Sequence, residues 1–284
     1  MIELTGYQIG TQLHASQTSL VYRAVRLLDG VPVVVKFLRN EFPTAQESAR
    51  YQREFAVAGS LKLKGCVRIL AMEIAQHRSV LIYEDDGSVS LRRLYAGRAL
   101  DTLRWLHIAI ESCKCLQELH AHKLVHRDIN PSNVLINSQT LIVKLTDLEL
   151  AGPASSTDET QERAFGTVAY MAPEQSGRIR AAIDARSDLY SFGAMIFELA
   201  TGRSVFIGSD DLSLMHAHLA LQPESLAALN PDFPAILAKI VLRLLAKSPS
   251  DRYQAARGLL NDLSRVQALL AGKIALAAID FELG

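Results

Sequence analysis

The sequence predicts an α+β fold, a small β-rich part with one main helix joined to a larger and mostly helical part. Residues 7 to 83 alternate short β-rich runs with turn signals. From Asp101 onward, long stretches place apolar residues at three- and four-residue steps, the spacing of a helix face. Between them Tyr83-Glu84-Asp85-Asp86-Gly87 leaves the last predicted strand as a polar joint. The expected organisation is 1–84 for the first lobe and 85–272 for the joint and second lobe, with 273–284 a tail or the start of a linker to a further domain.

Taken in order, Val31 to Leu38 and Ser79 to Tyr83 are the clearest strands of the first lobe. Between them Ser48 to Lys62 carries Tyr51, Phe55, Ala58 and Leu61 at helical spacing, which turns one apolar face toward a sheet. In the second lobe Asp101 reads as the N-cap of a helix reaching His122, with Leu103, Leu106, Ile110, Cys113, Leu116 and Leu119 on one face. Two strand-like runs follow, Val134 to Ile136 and Leu141 to Leu145. A helix opens at Arg186-Ser187-Asp188 and runs to Ala200, with Gly202 as its stop signal. Phe192, Met195, Ile196, Phe197 and Leu199 wrap much of its surface, so it reads as the buried axis of the lobe. A last helix is expected from Tyr253 to Leu270.

The chemistry is concentrated in His126-Arg127-Asp128-Ile129-Asn130-Pro131-Ser132-Asn133, where proline and short polar residues forbid a continuing helix and predict a loop. Asp128 and Asn133 stand five positions apart in it, and the second strand-like run ends in Thr146-Asp147. Two acids and an amide thus converge from neighbouring strand ends. Such a group can hold a divalent cation and orient a hydroxyl for phosphoryl transfer, a reaction that asks the protein for position and charge rather than covalent chemistry.

The His-Arg-Asp-x-x-x-x-Asn pattern, with Val33-Val34-Val35-Lys36 upstream and Gly166-Thr167 through Ala172-Pro173-Glu174 downstream, resembles the eukaryotic-type Ser/Thr protein kinase domain, here of bacterial type. The resemblance covers nearly the whole chain and implies a bilobal kinase-like fold that uses ATP and Mg²⁺ or Mn²⁺ on a protein substrate. By resemblance Lys36 binds the α- and β-phosphates and pairs with Glu54, Asp128 takes or orients the substrate hydroxyl proton, and Asn133 and Asp147 hold the metal. Val21, Val34, Tyr83, Glu84, Asp86 and Leu135 are expected around the adenine, with Tyr83 limiting the depth of the pocket. Thr167 is expected against Asp128, Asp188 beneath the catalytic-loop backbone, and Arg252 in a buried pair with Glu174. Arg127 is the expected contact for a phosphorylated activation segment between Ala151 and Phe165, with Ser155, Ser156, Thr157 and Thr160 as acceptors.

The sequence departs from that family at three places. His14, Ser16 and Ser19 stand where glycines are usual over the nucleotide phosphates; Asn130 replaces a phosphate-contacting lysine; Asp147-Leu148-Glu149 replaces Asp-Phe-Gly. These departures support a second reading, a nucleotide- or partner-binding regulatory module with little catalysis. A small-molecule kinase is a third reading, opposed by the segment from Gly166 to Glu174. Asn130 beside Pro131, the loop without glycines and the ending Phe281-Glu282-Leu283-Gly284 are similar to the N-terminal kinase-like domains of large bacterial signalling proteins that continue into ATPase and histidine kinase modules.

Composition narrows the partners. Thirty basic residues balance thirty acidic ones in 284 residues, which points away from nucleic acid and from acidic membrane surfaces. No apolar run approaches the roughly 20 residues that span a bilayer, and Met1-Ile2-Glu3-Leu4 does not begin a signal peptide. Cys66, Cys113 and Cys115 are odd in number and badly spaced for a disulfide framework, so reduced thiols and a cytoplasmic location are expected. His107, His120 and His122 are scattered rather than set at metal spacing and read as structural or exposed.

Overall fold

The computed structural model describes residues 3–61, 63–154, 167–272 and 283. The first lobe is an antiparallel sheet of β1 (Tyr7–Ala15), β2 (Ser19–Arg26), β3 (Pro32–Leu38), β4 (Ile69–Ala75) and β5 (Arg78–Glu84), in the order β1-β2-β3-β5-β4. Alternation along β3 sends Val33, Val35 and Phe37 into a small core with Val80 and Ile82, and leaves Val34 and Lys36 on the opposite face. Helix α1 (Ala45–Leu61) packs on β4 and β5 and buries Tyr51, Glu54 and Ala58. It begins three residues earlier than its apolar spacing predicts. Thr44 and Glu47 form a reciprocal cap, with the Thr44 amide donating to Glu47 at 2.7 Å and the Glu47 amide donating to the Thr44 hydroxyl at 3.2 Å.

The second lobe follows a short sheet of β6 (Val89–Ser90), β7 (Val134–Ile136) and β8 (Val143–Leu145). Its helices are α2 (Leu91–Tyr95), α3 (Thr102–Ala121), α4 (Ala185–Thr201), α5 (Asp211–Ala220), α6 (Leu226–Leu229), α7 (Ala235–Leu244) and α8 (Ala256–Leu270). Every residue of α4 from Ser187 to Ala200 is buried, as expected of an axis. Each large apolar side chain sunk there contributes about 1.5–3 kcal/mol. Gly193 lets α7 cross closely, since a Cβ at that position would stand 2.6 Å from the Cβ of Leu244. Gly202 ends α4 in the left-handed conformation at φ 77°.

Three local expectations are corrected. The last helix starts at Ala256 rather than Tyr253, whose hydroxyl instead donates to Asp262 at 2.8 Å. Leu103 is 71% exposed because it lies in the first turn of α3, before the helix meets its neighbours. Strand β8 starts at Val143, since Leu141 turns at φ 59° and Ile142 is exposed. Asp101 caps α3 as its position predicts, accepting from the Arg104 amide at 2.9 Å. The three cysteines are free and buried. Among the described residues no helix is long and apolar enough to cross a membrane.

Candidate active site

The loop between α3 and β7 is held from below. Asp188, in the first turn of α4, accepts the backbone amides of His126 and Arg127 at 2.8 Å each and a ring nitrogen of His120 at 2.8 Å. These donors, with His126 nearby, outweigh the cost of burial and hold its carboxyl below the usual range. They also stabilise Arg127 at φ 70°, a conformation that costs a non-glycine residue of order 1–3 kcal/mol. His126 lies under the loop with Nδ1 accepting from the Asp128 amide, which leaves Nε2 to donate to the Thr146 carbonyl at 3.1 Å. It is packed as a strut.

Both carboxylate oxygens of Asp128 receive a donor: the Asn133 amide at 2.8 Å and the Thr167 backbone N–H at 2.8 Å. Burial raises this carboxyl, the Thr167 hydrogen bond opposes the rise, and the Asp147 charge adds to it. Asn133 spends its NH₂ group on Asp128, and its own amide oxygen has no partner among the hydrogen bonds of the loop. Pairing of Val134 with Leu145 sets Asn133 beside Thr146, whose amide donates to the Asn133 carbonyl at 3.0 Å. Asp147 thereby leaves β8 next to Asn133. Two oxygen donors, the Asn133 amide and the Asp147 carboxylate, suit a hard divalent cation.

Lys36 sits at 2.9 Å from Glu54, 2.7 Å from Asp147 and 3.7 Å from Glu149. Burial works against its charge, but Asp147 and Glu54 outweigh burial and hold the ammonium protonated. Glu54 also accepts from the Tyr83 hydroxyl at 2.7 Å and the Leu148 amide at 3.1 Å, tying α1, β5 and the start of the activation segment to one carboxylate. Glu47, the other acid on that helix, is used in the cap. Asp147, at φ 65°, is raised by burial but brought below its ordinary value by Lys36, with His126 and His14 helping. Burial and then the Asp147 charge push Glu149 up to about 7, Lys36 pulling the other way. Oxygens of Glu54, Asp147 and Glu149 lie within 4.8 Å of one another, and the cation among them is the lysine itself.

A cleft of about 280 Å³ opens between the lobes. It is lined by Val21, Val34, Lys36, Tyr83, Glu84, Asp86, Asn133, Leu135 and Asp147. Glu54 lies behind Lys36, and Asp128 lies outside this lining, packed with Thr167, Tyr170, Met171 and Gln175. Asp86 is braced by Lys144 at 2.7 Å. The sequence does not reveal that Val67, Ser90, Arg92, Arg93 and Thr146 also line the cleft. Arg92 and Arg93 follow directly on the joint, but no periodicity marks them; Val67 stands in an irregular loop with no pattern at all.

The turn over the cleft is closed on itself. Ser16 Oγ accepts the amides of Thr18 at 3.2 Å and Ser19 at 2.9 Å, and the Ser16 amide donates to the Ser19 carbonyl at 2.9 Å. Asn130 is 2% exposed and donates to Thr167 Oγ1 and the Asp128 carbonyl at 3.2 Å each, while its oxygen accepts from Ser132. Glu174 and Arg252 form a bidentate pair at 2.7 and 2.9 Å with almost no exposure. Arg127 donates to the Pro153 carbonyl at 2.7 Å. Ser155, Ser156, Thr157, Thr160 and Gly166 lie outside the described residues, as does nearly all of the expected tail.

Residues 7–262 match the family model of the protein kinase domain. The chain is 30% identical to a probable serine/threonine-protein kinase of Clostridium acetobutylicum over 92% of its length and 40% of the relative's. It is 31% identical to the serine/threonine-protein kinase PknB of Mycolicibacterium smegmatis, over 92% of this chain and 43% of that one. The PknB of Mycobacterium tuberculosis gives 31% identity over 92% and 42%. The chain thus spans about two-fifths of these relatives. A sheet lobe and a helical lobe closed over a cleft that holds Lys36, Asn133 and Asp147, together with a family match over most of the sequence, place this chain in the protein kinase domain family.

Proposed function

We propose that the chain is a bacterial Ser/Thr protein kinase domain that transfers the γ-phosphoryl group of ATP to a protein hydroxyl. The observation that carries this reading is the position of Asp128. Each of its oxygens is oriented by a donor from a different side, the side chain of Asn133, which lines the cleft, and the backbone of Thr167 from the segment that follows. A substrate hydroxyl brought to Asp128 would attack the γ-phosphorus; the bond to the β,γ-bridging oxygen breaks, ADP leaves, and the hydroxyl proton passes to Asp128. The upward shift of the Asp128 carboxyl suits that role. Lys36 would neutralise the α- and β-phosphates while Glu54 fixes its direction. Asn133 and Asp147 would hold Mg²⁺ or Mn²⁺, which when bound offsets charge on the phosphates. Val21, Val34, Leu135 and Tyr83 would enclose the adenine, with the backbone near Glu84 and Asp86 at its edge.

The relatives, serine/threonine-protein kinases by name, support a Ser/Thr protein substrate, and their greater length supports a domain working beside further domains of one polypeptide. The likeness of the Asn130-Pro131 loop to those of multidomain ATPase and histidine kinase proteins supports the same arrangement. Three free, buried thiols support a cytoplasmic setting.

Intact-mass spectrometry after incubation with Mg²⁺ and ATP tests the reading, with Asp128→Asn and Lys36→Met alongside. Phosphate gained by the wild type and lost by about 10²-fold or more in Asp128→Asn is expected. A second reading, a nucleotide- or partner-binding regulatory module, is favoured by the turn over the cleft, which keeps its amides for itself. Nucleotide-dependent melting with no phosphate transfer, to itself or to added proteins, would select that second reading.

A further inference from the structure

The nucleotide cleft contains a phosphate-binding problem that its motif residues do not solve. In the turn between β1 and β2 the amides of Ser16, Thr18 and Ser19 are consumed by the turn itself, so that of its four residues Gln17 alone keeps an amide outside these bonds, too few for a cradle of phosphate oxygens. Asn130 is equally committed, with both ends of its side chain bonded inside the catalytic loop. That leaves Lys36 already shared among three carboxylates.

The sheet places one further nitrogen-bearing side chain in line. His14 pairs with Val21 across β1 and β2, and Val21 pairs with Lys36 across β2 and β3. Directly opposed residues in antiparallel strands share a face. The row His14, Val21, Lys36 therefore lies on the cleft side of the sheet, and all three line the cleft. With strands about 4.8 Å apart, the backbones of His14 and Lys36 are about 10 Å apart, a span that a chain of phosphates bridges. A register shift between Gln12 and His14 marks a bulge, a device that re-aims side chains at the rim of a site. His14 is exposed in its strand, so no packing role competes.

We propose that His14 is a phosphate-binding residue, its imidazole N–H donating to the β- or γ-phosphate of the nucleotide in place of the backbone amides that the closed turn withholds. The proposal rests on the nucleotide-binding reading and specifies how this chain achieves it. It also assigns the departure from glycine at this position a purpose: the Cβ-bearing residue replaces close backbone approach with side-chain reach.

Isothermal titration calorimetry of ATP, ADP and adenosine at fixed Mg²⁺ tests it, on the wild type, His14→Ala and His14→Gln, with melting temperatures to confirm equal folding. Removal of the imidazole should weaken ATP about tenfold, the order expected for a hydrogen bond to a charged group, and leave adenosine unchanged. Glutamine, which keeps an N–H donor, should recover part of the loss. Equal or tighter ATP binding by His14→Ala would overturn the proposal, as would a matching loss for adenosine. A wild type that binds none of the three would overturn the nucleotide reading itself, whereas a wild type that binds ATP with unaltered variants overturns only the assignment of His14.

Discussion

Two buried charge networks among the described residues are built to opposite standards. In the large lobe Glu174 meets Arg252 through two hydrogen bonds and takes a third from Ser187, while Asp188 is filled by two amides and His120. In the cleft one ammonium, Lys36, faces three carboxylates. The first network is complete without any ligand. The second crowds three carboxylates around one ammonium in a partly enclosed site, where burial and the Asp147 charge lift Glu149 to about 7 against the pull of Lys36 and Arg50. The difference separates what holds the catalytic loop from what is left to respond to nucleotide and metal.

The sharpest way to break the comparison is to damage the finished network. Arg252→Ala leaves Glu174 buried without its partner and should cost about 3–5 kcal/mol of stability in chemical denaturation. Replacing both partners with apolar residues of similar volume should cost much less, because the loss comes from the stranded charge. If Arg252→Ala costs under about 1 kcal/mol, the pair is not the closed unit described above.

A pH series probes the same lobe. His218 of α5 sets one ring nitrogen 2.9 Å from the Tyr190 hydroxyl and the other 3.0 Å from the Ala169 carbonyl, so the neutral ring has an O–H to accept from and a carbonyl to donate to. Burial first, and the Lys247 charge second, depress it to about 4. An unfolded chain takes up a proton on this histidine near 6.5 while the folded one refuses it down to about 4. The unfolded state binds more protons in that window, so stability is full above 6.5 and falls as pH drops toward 4, by on the order of 3 kcal/mol in all. Because Glu149, lifted to about 7, titrates in the same window with the opposite sign, urea midpoints between pH 4 and 7 should show this slope in a Glu149→Gln background, and adding His218→Gln should flatten it.

The unfinished network predicts a smaller effect of opposite sign. Glu149→Gln removes one of the three carboxylates around Lys36 and should stabilise the ligand-free protein by about 1–2 kcal/mol, while reducing the gain in melting temperature that Mg²⁺ with ATP provides. Destabilisation by this substitution would mean that Glu149 braces Lys36 rather than burdening it.

The finished network was largely legible in the sequence because Glu174, Asp188 and Arg252 sit in short linear motifs and keep their expected partners, whereas no motif marks His120 as a partner of Asp188. What was not legible depends on residues far apart in the chain. The crowding of acids around Lys36 arises only when α1 brings Glu54 beside residues nearly a hundred positions later. The use of turn amides by one serine hydroxyl depends on loop geometry that spacing does not encode. The start of α1 at Ala45 does have a local signal, since Thr44 and Glu47 carry the spacing of a capping box three residues ahead of the apolar periodicity.

The smallest expected effect calibrates the rest. Asp101 caps α3 from an exposed position, far in the sequence from both networks, with its carboxylate on the Arg104 amide at 2.9 Å. Asp101→Ala loses one cap and should cost about 1 kcal/mol. Because α3 supports the catalytic loop through His120 and Asp188 at its opposite end, fraying of the first turn should stay local. ATP affinity and the acid slope assigned to His218 should both remain at wild-type values. A loss of nucleotide affinity comparable to that of His14→Ala would show that stability lost anywhere in the large lobe reaches the cleft. The separation between a finished scaffold and a responsive site would then fail as an account of this domain.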